Sequence, residues 1–210
     1  MMMDPKEVVR RGYDRISDAY RGDLDDVEEY GAWLTELAAL LPQGGRVLDL
    51  GCENGVPSAR WLADRGLAVT GVDFSEVQIE RARRLVLNAG FLRADMTSLD
   101  MPQGSFDAVI AFYSLIHVPV EEQPSLLARV ASWLEDGGYF LAIVGHTAGT
   151  GTDDDWFGES MYWSHADRDT YLRWFEEAGL TVQWDRFVPE EEGGHTLILA
   201  QRSPTGVRPS

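Results

Sequence analysis

The N-terminal part of the chain spaces its apolar residues as an amphipathic helix does. Apolar side chains recur about every 3.6 residues, which is the period of one helix face. Pro5 stands near the start, where helices tolerate proline, and Gly22 interrupts the pattern before Pro42 ends it. The sequence therefore predicts two N-terminal helices. Their apolar positions are Val8, Val9, Tyr13, Ile16 and Tyr20 in the first helix, and Trp33, Leu34, Leu37 and Leu41 in the second.

From Arg46 onward, short apolar runs alternate with helical segments. Runs of this kind, bounded by glycine and polar turn residues, are typical of buried strands. They predict strands at 46–51, 67–73, 91–95, 106–113, 139–145, 180–188 and 195–200. The intervening pattern predicts helices at 57–65 and 169–178, a helix through Leu126, Val130 and Leu134 that ends at Gly137 and Gly138, and a helix through Val86 that Ser75 and Gln78 open as a capping box.

This alternation predicts an α/β fold with a doubly wound, mostly parallel sheet preceded by the N-terminal helices. Residues 191–194 are few enough to join the final two strands as a hairpin, so the last strand should be antiparallel. A chain of 210 residues is typical of one domain. We expect a single domain at 1–203 and a flexible tail at 204–210.

The composition narrows the classes of partner. The chain has 18 basic and 35 acidic residues, a formal net charge of −17, and such a field repels phosphate backbones and anionic lipid surfaces. We therefore expect neither a nucleic-acid nor a membrane partner. Cys52 is the sole cysteine, and the N-terminus shows no apolar signal segment. These features predict a cytoplasmic protein.

The loop after the first predicted strand carries the first chemical signal. Residues 47–55 are Val-Leu-Asp-Leu-Gly-Cys-Glu-Asn-Gly. A dinucleotide fingerprint would need glycine at Gly51 and at the positions of Glu53 and Val56, where close approach of a pyrophosphate requires it. Two of those positions carry side chains, which argues against NAD or FAD.

The same loop resembles motif I of the class I S-adenosylmethionine-dependent methyltransferases, whose common form is hydrophobic-Leu-Asp-Leu-Gly-Cys-Gly-x-Gly. Residues 69–75 (Val-Thr-Gly-Val-Asp-Phe-Ser), 93–96 (Arg-Ala-Asp-Met), 104–110 and 134–141 resemble further motifs of that family, in the same order. The resemblance extends over about residues 13–200. It implies S-adenosylmethionine as cofactor, methyl transfer, and a seven-stranded sheet of order 3-2-1-4-5-7-6.

The resemblance also implies which residues bind the cofactor. Asp73 corresponds to the family's ribose-binding acid, and Asp95 to the acid that accepts from the adenine amino group, with Met96 against the ring. The full set is Tyr20, Gly51, Glu53, Gly55, Asp73, Phe74, Asp95, Met96 and Phe112. An uncharged adenosine needs such acceptors and close glycine backbone rather than a phosphate site. Tyr13 and Tyr20 resemble the family's N-terminal helix that covers the cofactor. The alternatives are capping of helices or turns for the two acids, and core packing for the two tyrosines.

Glu53 departs from the motif, because the family has its middle glycine there. Its carboxylate could engage the cofactor's ammonium or sulfonium group, its side chain could crowd the methionine part, or it could point to solvent. We expect Cys52 to be a small buried apolar residue rather than a nucleophile.

Two histidines are candidate general bases for a hydroxyl or amine acceptor. His117 follows the fourth predicted strand, and His146 follows the fifth. The insertion at 146–165 concentrates aromatic residues and predicts a lid or pocket wall, with a plug over the sheet end as the alternative. The candidate substrate-binding residues are Tyr113, Trp156, Met161, Tyr162, Trp163 and His165. Asp153, Asp154 and Asp155 are expected to form a solvated acidic rim rather than a metal site.

These observations predict an S-adenosylmethionine-dependent methyltransferase with a small-molecule acceptor and no metal. Two alternatives stay open. An enzyme that uses the same cofactor without a second substrate, such as an intramolecular cyclase, fits Glu53 and the aromatic insertion. A non-catalytic cofactor-binding scaffold fits the altered glycine loop.

Overall fold

A seven-stranded sheet forms the centre of the protein in the computed structural model, which describes residues 3–24, 28–190 and 193–204. The strands are β1 (Arg46–Leu50), β2 (Ala68–Asp73), β3 (Gly90–Arg93), β4 (Phe106–Ala111), β5 (Leu134–Gly145), β6 (Gly149–Trp156), β7 (Glu159–His165), β8 (Leu180–Pro189) and β9 (Gly194–Arg202). The helices are α1 (Pro5–Tyr20), α2 (Glu28–Ala38), α3 (Ser58–Ala63), α4 (Glu76–Leu85), α5 (Gln123–Trp133) and α6 (Arg168–Glu177), with a short 3₁₀ helix at Leu115–His117.

The sheet has the order β3-β2-β1-β4-β5-β9-β8. The first five strands are parallel, and β9 runs antiparallel between β5 and β8. Because β6 and β7 lie outside this sheet, β8 and β9 are its sixth and seventh strands along the chain. The predicted fold class and strand order are therefore confirmed.

Apolar residues cover both faces of the sheet, as a doubly wound fold requires. One core cluster joins Leu48 and Leu50 to apolar residues of α5 and α6, and the other joins Val47 to those of α2 and α3. Helix α1 belongs to neither cluster. Its buried Val9 and Ile16 pack with Met161 of β7, which places this helix beside the insertion.

The insertion forms a β-hairpin, in which β6 and β7 pair antiparallel. Phe157 and Gly158 make its tight turn, with φ values of 52° and 85°. Positive φ at both central residues matches the twist of paired strands, so two-residue hairpin loops favour it. Asp153, Asp154 and Asp155 lie exposed on β6.

The predicted helix end at Gly137 and Gly138 is wrong. Helix α5 stops at Trp133, and Leu134 begins β5 in an extended conformation opposite Phe106. The next pair is Ala108 with Tyr139, so two residue steps of β4 span five of β5. The extra residues, 135–138 of β5, form an irregularity in the pairing with β4. Their Glu-Asp-Gly-Gly sequence resembles a helix terminus locally.

Ser75 caps α4 as predicted, since its Oγ accepts from the backbone N–H of Gln78 at 3.1 Å. The reciprocal bond of a capping box is absent within the described residues, because the backbone N–H of Ser75 donates to Asp73. The side chain of Gln78 instead accepts from Ser17 Oγ of α1 at 2.7 Å.

Within the described ranges, no helix combines the length and apolarity needed to cross a membrane. Of the predicted tail, residues 205–210 lie outside the described residues.

Candidate functional site

A pocket that encloses about 620 Å³ of open space, part of it continuous with solvent, lies at the carboxyl ends of the parallel strands. Ligands of open α/β sheets bind at this edge. We call it the strand-end pocket. Its lining includes the predicted residues Gly51, Glu53, Asp73, Phe74, Asp95, Met96, Phe112, Tyr113 and His117, together with Lys6, Val9, Tyr13, Gln78, Ala94, Thr97, Ser114 and Val118.

Asp73 ends β2 with its carboxylate held by two backbone N–H groups. Oδ1 accepts from Ser75 at 2.8 Å, and Oδ2 accepts from Glu53 at 3.1 Å. Burial raises the pKa of Asp73 to about 7, although these hydrogen bonds act in the opposite direction. The strand end thus presents a fixed acceptor whose protonation state changes near neutral pH.

Three residues of the glycine loop, Gly51, Glu53 and Gly55, have left-handed backbone. Gly51 has φ of +75°, and a Cβ on it would lie 2.3 Å from Ser114 Cβ, so no side chain fits there. Glu53 has φ of 51°, a conformation that costs a non-glycine residue about 1–2 kcal/mol. The loop therefore keeps a glycine-like backbone where the family motif has glycine.

The side chain of Glu53 is not solvent-directed, so that alternative is wrong. Its Oε2 lies 3.0 Å from Arg21 Nε, with side-chain exposures of 19% and 11% for the two residues. Arg21 follows α1, and its guanidinium also lies over the rings of Tyr20 and Tyr30. The pair ties the end of α1 to the glycine loop.

Asp49, on β1, is buried behind this loop. Its Oδ2 has no hydrogen-bond partner among the described residues, and burial followed by the nearby Glu53 and Asp73 raises its pKa to about 8. Asp49 lines a small cavity that shares Gly51, Glu53 and Phe112 with the strand-end pocket. An unpartnered buried acceptor is costly, and a ligand donor would remove that cost.

Asp95 closes the opposite end of the strand-end pocket. Its Oδ1 accepts from the backbone N–H and hydroxyl of Thr97 at 2.8 and 2.9 Å. Lys6 Nζ, from the first turn of α1, lies 3.3 Å from Asp95 Oδ2 and 2.5 Å from Glu122 Oε2. Helix α1 is therefore anchored at both ends to residues of the pocket.

A second pocket, of about 740 Å³ of open space continuous with solvent, adjoins the first. We call it the aromatic chamber. Its lining is Tyr13, Tyr20, Arg21, Tyr30, Tyr113, Ile116, His117, Trp156, Trp163, Glu190 and His195. Tyr13, Tyr113 and His117 line both pockets, so the two spaces meet at these side chains.

His117 lies at this junction with both ring nitrogens engaged. Nδ1 lies 2.8 Å from the carbonyl oxygen of Tyr162, and Nε2 lies 3.0 Å from the hydroxyl of Tyr13. A carbonyl only accepts, so Nδ1 carries the proton and Nε2 accepts from Tyr13. Burial lowers the pKa of His117 to about 4, which keeps the imidazole neutral at physiological pH.

Solved structures of methyltransferases and of a cyclase share this architecture. The magnesium protoporphyrin IX methyltransferase of Synechocystis PCC 6803, solved with S-adenosylmethionine bound, superposes with a TM-score of 0.73 at 21% identity, covering 96% of this chain and 99% of that one. The [4+2]-cyclase SpnF superposes with a TM-score of 0.72 at 19% identity, covering 93% and 95%. At these identities the likeness concerns the fold alone.

Sequence comparison decides the family. A family model described as a methyltransferase domain matches residues 47–138, which include the glycine loop, Asp73 and Asp95. Residues 47–138 form a methyltransferase domain, and the chain has the fold of S-adenosylmethionine-dependent methyltransferases. The 27-O-demethylrifamycin SV methyltransferase of Amycolatopsis mediterranei strain S699 is 35% identical over 156 residues, which are 64% of this chain and 56% of that protein. The chain thus matches little more than half the length of this relative.

The strand-end pocket of the methyltransferase domain fits S-adenosylmethionine. The cofactor has a ribose diol, an adenine amino group and an ammonium group, all of which donate hydrogen bonds. Asp73 and Asp95 present carboxyl groups at two neighbouring strand ends, and Asp49 holds an unpartnered carboxyl oxygen behind the loop. The backbone at Gly51 has no side chain, which leaves room for close approach.

Several predicted residues of the methyltransferase domain do not line either pocket. They are Gly55, His146, Met161, Tyr162 and His165. Tyr20, predicted for the cofactor, lines the aromatic chamber instead. The roles assigned to these residues from the sequence stay predictions.

Met161, His146 and His165 make other side-chain contacts, and Tyr162 contributes its backbone. Met161 is fully buried against Gly12 of α1, and Tyr162 reaches His117 through its backbone carbonyl. His165 Nδ1 lies 2.7 Å from the Thr147 carbonyl. His146 Nδ1 lies 3.0 Å from the Thr196 hydroxyl, and its ring packs against Phe187.

The lining residues that the sequence reasoning missed include Lys6, Arg21, Tyr30, Glu190 and His195. For His195 a signal existed. It begins the predicted last strand, and the start of an antiparallel strand lies at the edge where parallel strands end. For Lys6 and Arg21 no local pattern indicated the contact.

Proposed function

We propose that this protein transfers the methyl group of S-adenosylmethionine to a small-molecule acceptor held in the aromatic chamber. One observation carries the proposal: the strand-end pocket and the aromatic chamber meet at Tyr13, Tyr113 and His117. A cofactor in the first pocket and an acceptor in the second would face each other across this junction. Domain bounds of 1–203 belong to the same proposal.

The cofactor, when bound, supplies an activated methyl group on its sulfonium. The residues of the chain then have to hold the cofactor and align its methyl group with the acceptor. Asp73 and Asp95 are assigned to the ribose diol and the adenine amino group, and Met96 and Phe74 to the adenosine surface. Helix α1 covers the pocket through Val9 and Tyr13, which helps to exclude water.

Aromatic side chains define the acceptor space. Tyr20, Tyr30, Trp156 and Trp163 give it broad apolar faces, and the tyrosines add hydroxyl groups. Burial raises the pKa of Tyr20 and of Tyr30, so their hydroxyls stay protonated and can donate. The net charge of −17 opposes a polyanionic acceptor such as nucleic acid. The relative from Amycolatopsis mediterranei is named for O-methylation of a small molecule, which supports a hydroxyl-bearing acceptor.

The contacts of Glu53 weaken both alternatives. The cyclase alternative used Glu53 as an extra carboxylate beside a cation, but Arg21 already neutralises it at 3.0 Å. The scaffold alternative used an altered glycine loop, but Glu53 keeps the left-handed backbone with φ of 51°. Methyl transfer requires neither an extra carboxylate beside the cation nor an altered glycine loop.

Calorimetry with S-adenosylmethionine and S-adenosylhomocysteine tests the cofactor half. Asp73→Asn should weaken both by about 1–3 kcal/mol, because a buried hydrogen-bond partner is lost. Asp100→Asn, at an exposed acid outside both pockets, is the matched control and should bind as the wild type does. Failure of the wild type to bind either compound would refute the proposal, and so would micromolar binding of NAD.

Mass spectrometry tests the acceptor half. The protein is incubated with S-adenosylmethionine, alone and with a panel of phenols and aliphatic alcohols. We expect S-adenosylhomocysteine and a methylated product only with an acceptor. Consumption of the cofactor in the incubation without acceptor would instead favour the cyclase alternative.

A further inference from the structure

A histidine and a glutamate form a pair in the wall of the aromatic chamber. His195 Nδ1 lies 2.7 Å from Glu190 Oε1, with side-chain exposures of 17% and 41%. Glu190 directly follows β8, and its backbone N–H donates to the carbonyl of Gly193 at 3.3 Å. A carboxylate only accepts from a ring N–H, so Glu190 fixes the proton of His195 on Nδ1.

The sheet topology puts this pair at the junction of the two pockets. His195 lies at the start of antiparallel β9, in register with Gly145 at the end of β5 and with Val188 of β8. Its ring packs edge to face on Tyr113, with 5.1 Å between centroids. Because Tyr113 also lines the strand-end pocket, one ring separates His195 from that space.

The two histidines that line the chamber differ in what they can accept. Both ring nitrogens of His117 are engaged, by Tyr162 and by Tyr13. For His195 the hydrogen bond found among the described residues is the one between Nδ1 and Glu190, which leaves Nε2 with its lone pair. A base oriented by a carboxylate on its far nitrogen is the arrangement that general-base catalysis uses.

On the basis of the proposed function, we infer that the acceptor is an aryl hydroxyl and that His195, oriented by Glu190, takes its proton. The flat ring packs on the chamber's aromatic faces, and Trp163 lies on the chamber side of His117 with 4.4 Å between ring centroids. The acceptor oxygen forms a bond to the methyl carbon while the carbon–sulfur bond breaks, and that electron pair stays on sulfur. The hydroxyl proton passes to Nε2, and the resulting imidazolium is stabilised by Glu190 until solvent takes the proton.

Other titratable groups near His195 come from each neighbouring element. Tyr113 follows β4, His117 ends the 3₁₀ helix, and His165 ends β7 with its ring centroid 6.4 Å from that of His195. Among these described neighbours, Glu190 is the carboxylate. The imidazolium is compensated by Glu190, and the inference depends on that contact.

The test uses 4-nitrophenol as probe, because its phenolate absorbs visible light and its phenol does not. The full chain is titrated with the probe slightly below the pH at which free 4-nitrophenol ionises. We expect a saturable phenolate band in the wild type and its loss in His195→Gln. In Glu190→Gln we expect the amplitude of the band to decrease about tenfold, since the imidazolium loses its counter-charge. Glu121→Gln, an exposed acid outside both pockets, is the matched control and should keep the band.

Glu190 is partly exposed, so Glu190→Gln tests the inference even if His195→Gln does not fold. Absence of a saturable band in the wild type overturns the inference, as does a band that is undiminished in Glu190→Gln or that disappears in His117→Gln but not in His195→Gln. Calorimetry with S-adenosylmethionine on the same samples separates the two levels. Cofactor binding without the phenolate band refutes the inference alone, whereas failure to bind cofactor refutes the proposed function.

Discussion

Asp49→Asn should change how the stability of the protein depends on pH. The folded protein holds the Asp49 proton up to a pKa of about 8, whereas an ordinary aspartate releases it at 3.8. Between these values the folded state binds more protons than the unfolded state. Stability therefore falls as pH rises, by up to about 1.4 kcal/mol per pH unit for one fully shifted group. The asparagine substitution removes this titration.

Urea unfolding of the wild type and the variant between about pH 5 and about pH 8 measures the effect. The stability difference between the two proteins should shift in favour of the variant as pH rises, at a slope approaching 1.4 kcal/mol per pH unit. Asp73, with a pKa raised to about 7 by burial, is present in both proteins and does not account for the difference. Asp100→Asn controls for the change in net charge. Parallel pH profiles for wild type and Asp49→Asn would refute the assignment of a buried, protonated Asp49.

Three further predictions concern the glycine loop and the chamber. A double-mutant cycle of Arg21→Gln and Glu53→Gln should give a coupling energy of about 1–2 kcal/mol in urea unfolding, and additive effects would argue against the pair. Gly51→Ala should destabilise the protein by at least about 1–2 kcal/mol, from its left-handed backbone, and also by a steric clash. Ser114→Gly should relieve only the clash, because the blocking atom is Ser114 Cβ; no rescue would contradict that contact. Trp163→Ala should weaken 4-nitrophenol binding but leave S-adenosylmethionine affinity within about tenfold, or 1.4 kcal/mol, by calorimetry; equal loss of both would make the hairpin a cofactor lid.

The sequence by itself determined the sheet and one half of the site. Strand and helix patterns are local, and the family resemblance of the motifs implied the order of the strands. Asp73 and Asp95 stand at or just after strand ends, and parallel strands bring such ends to one edge. The position of the strand-end pocket can therefore be predicted from which residues stand at the strand ends. The predicted helix end at Gly137 failed because Leu134 pairs with Phe106 across a register shift whose extra residues lie in β5, and no local pattern encodes that register.

The tertiary structure alone decided the other half. Lys6 meets Asp95 across 89 residues of sequence, and Arg21 meets Glu53 because α1 docks on the loop. His146 and His195 both stand at the same sheet edge, yet only His195 lines the aromatic chamber. Which side chain faces a cavity depends on how the hairpin, α1 and β9 pack together. Those contacts join segments far apart in the chain, so the spacing of residues along the sequence does not predict them.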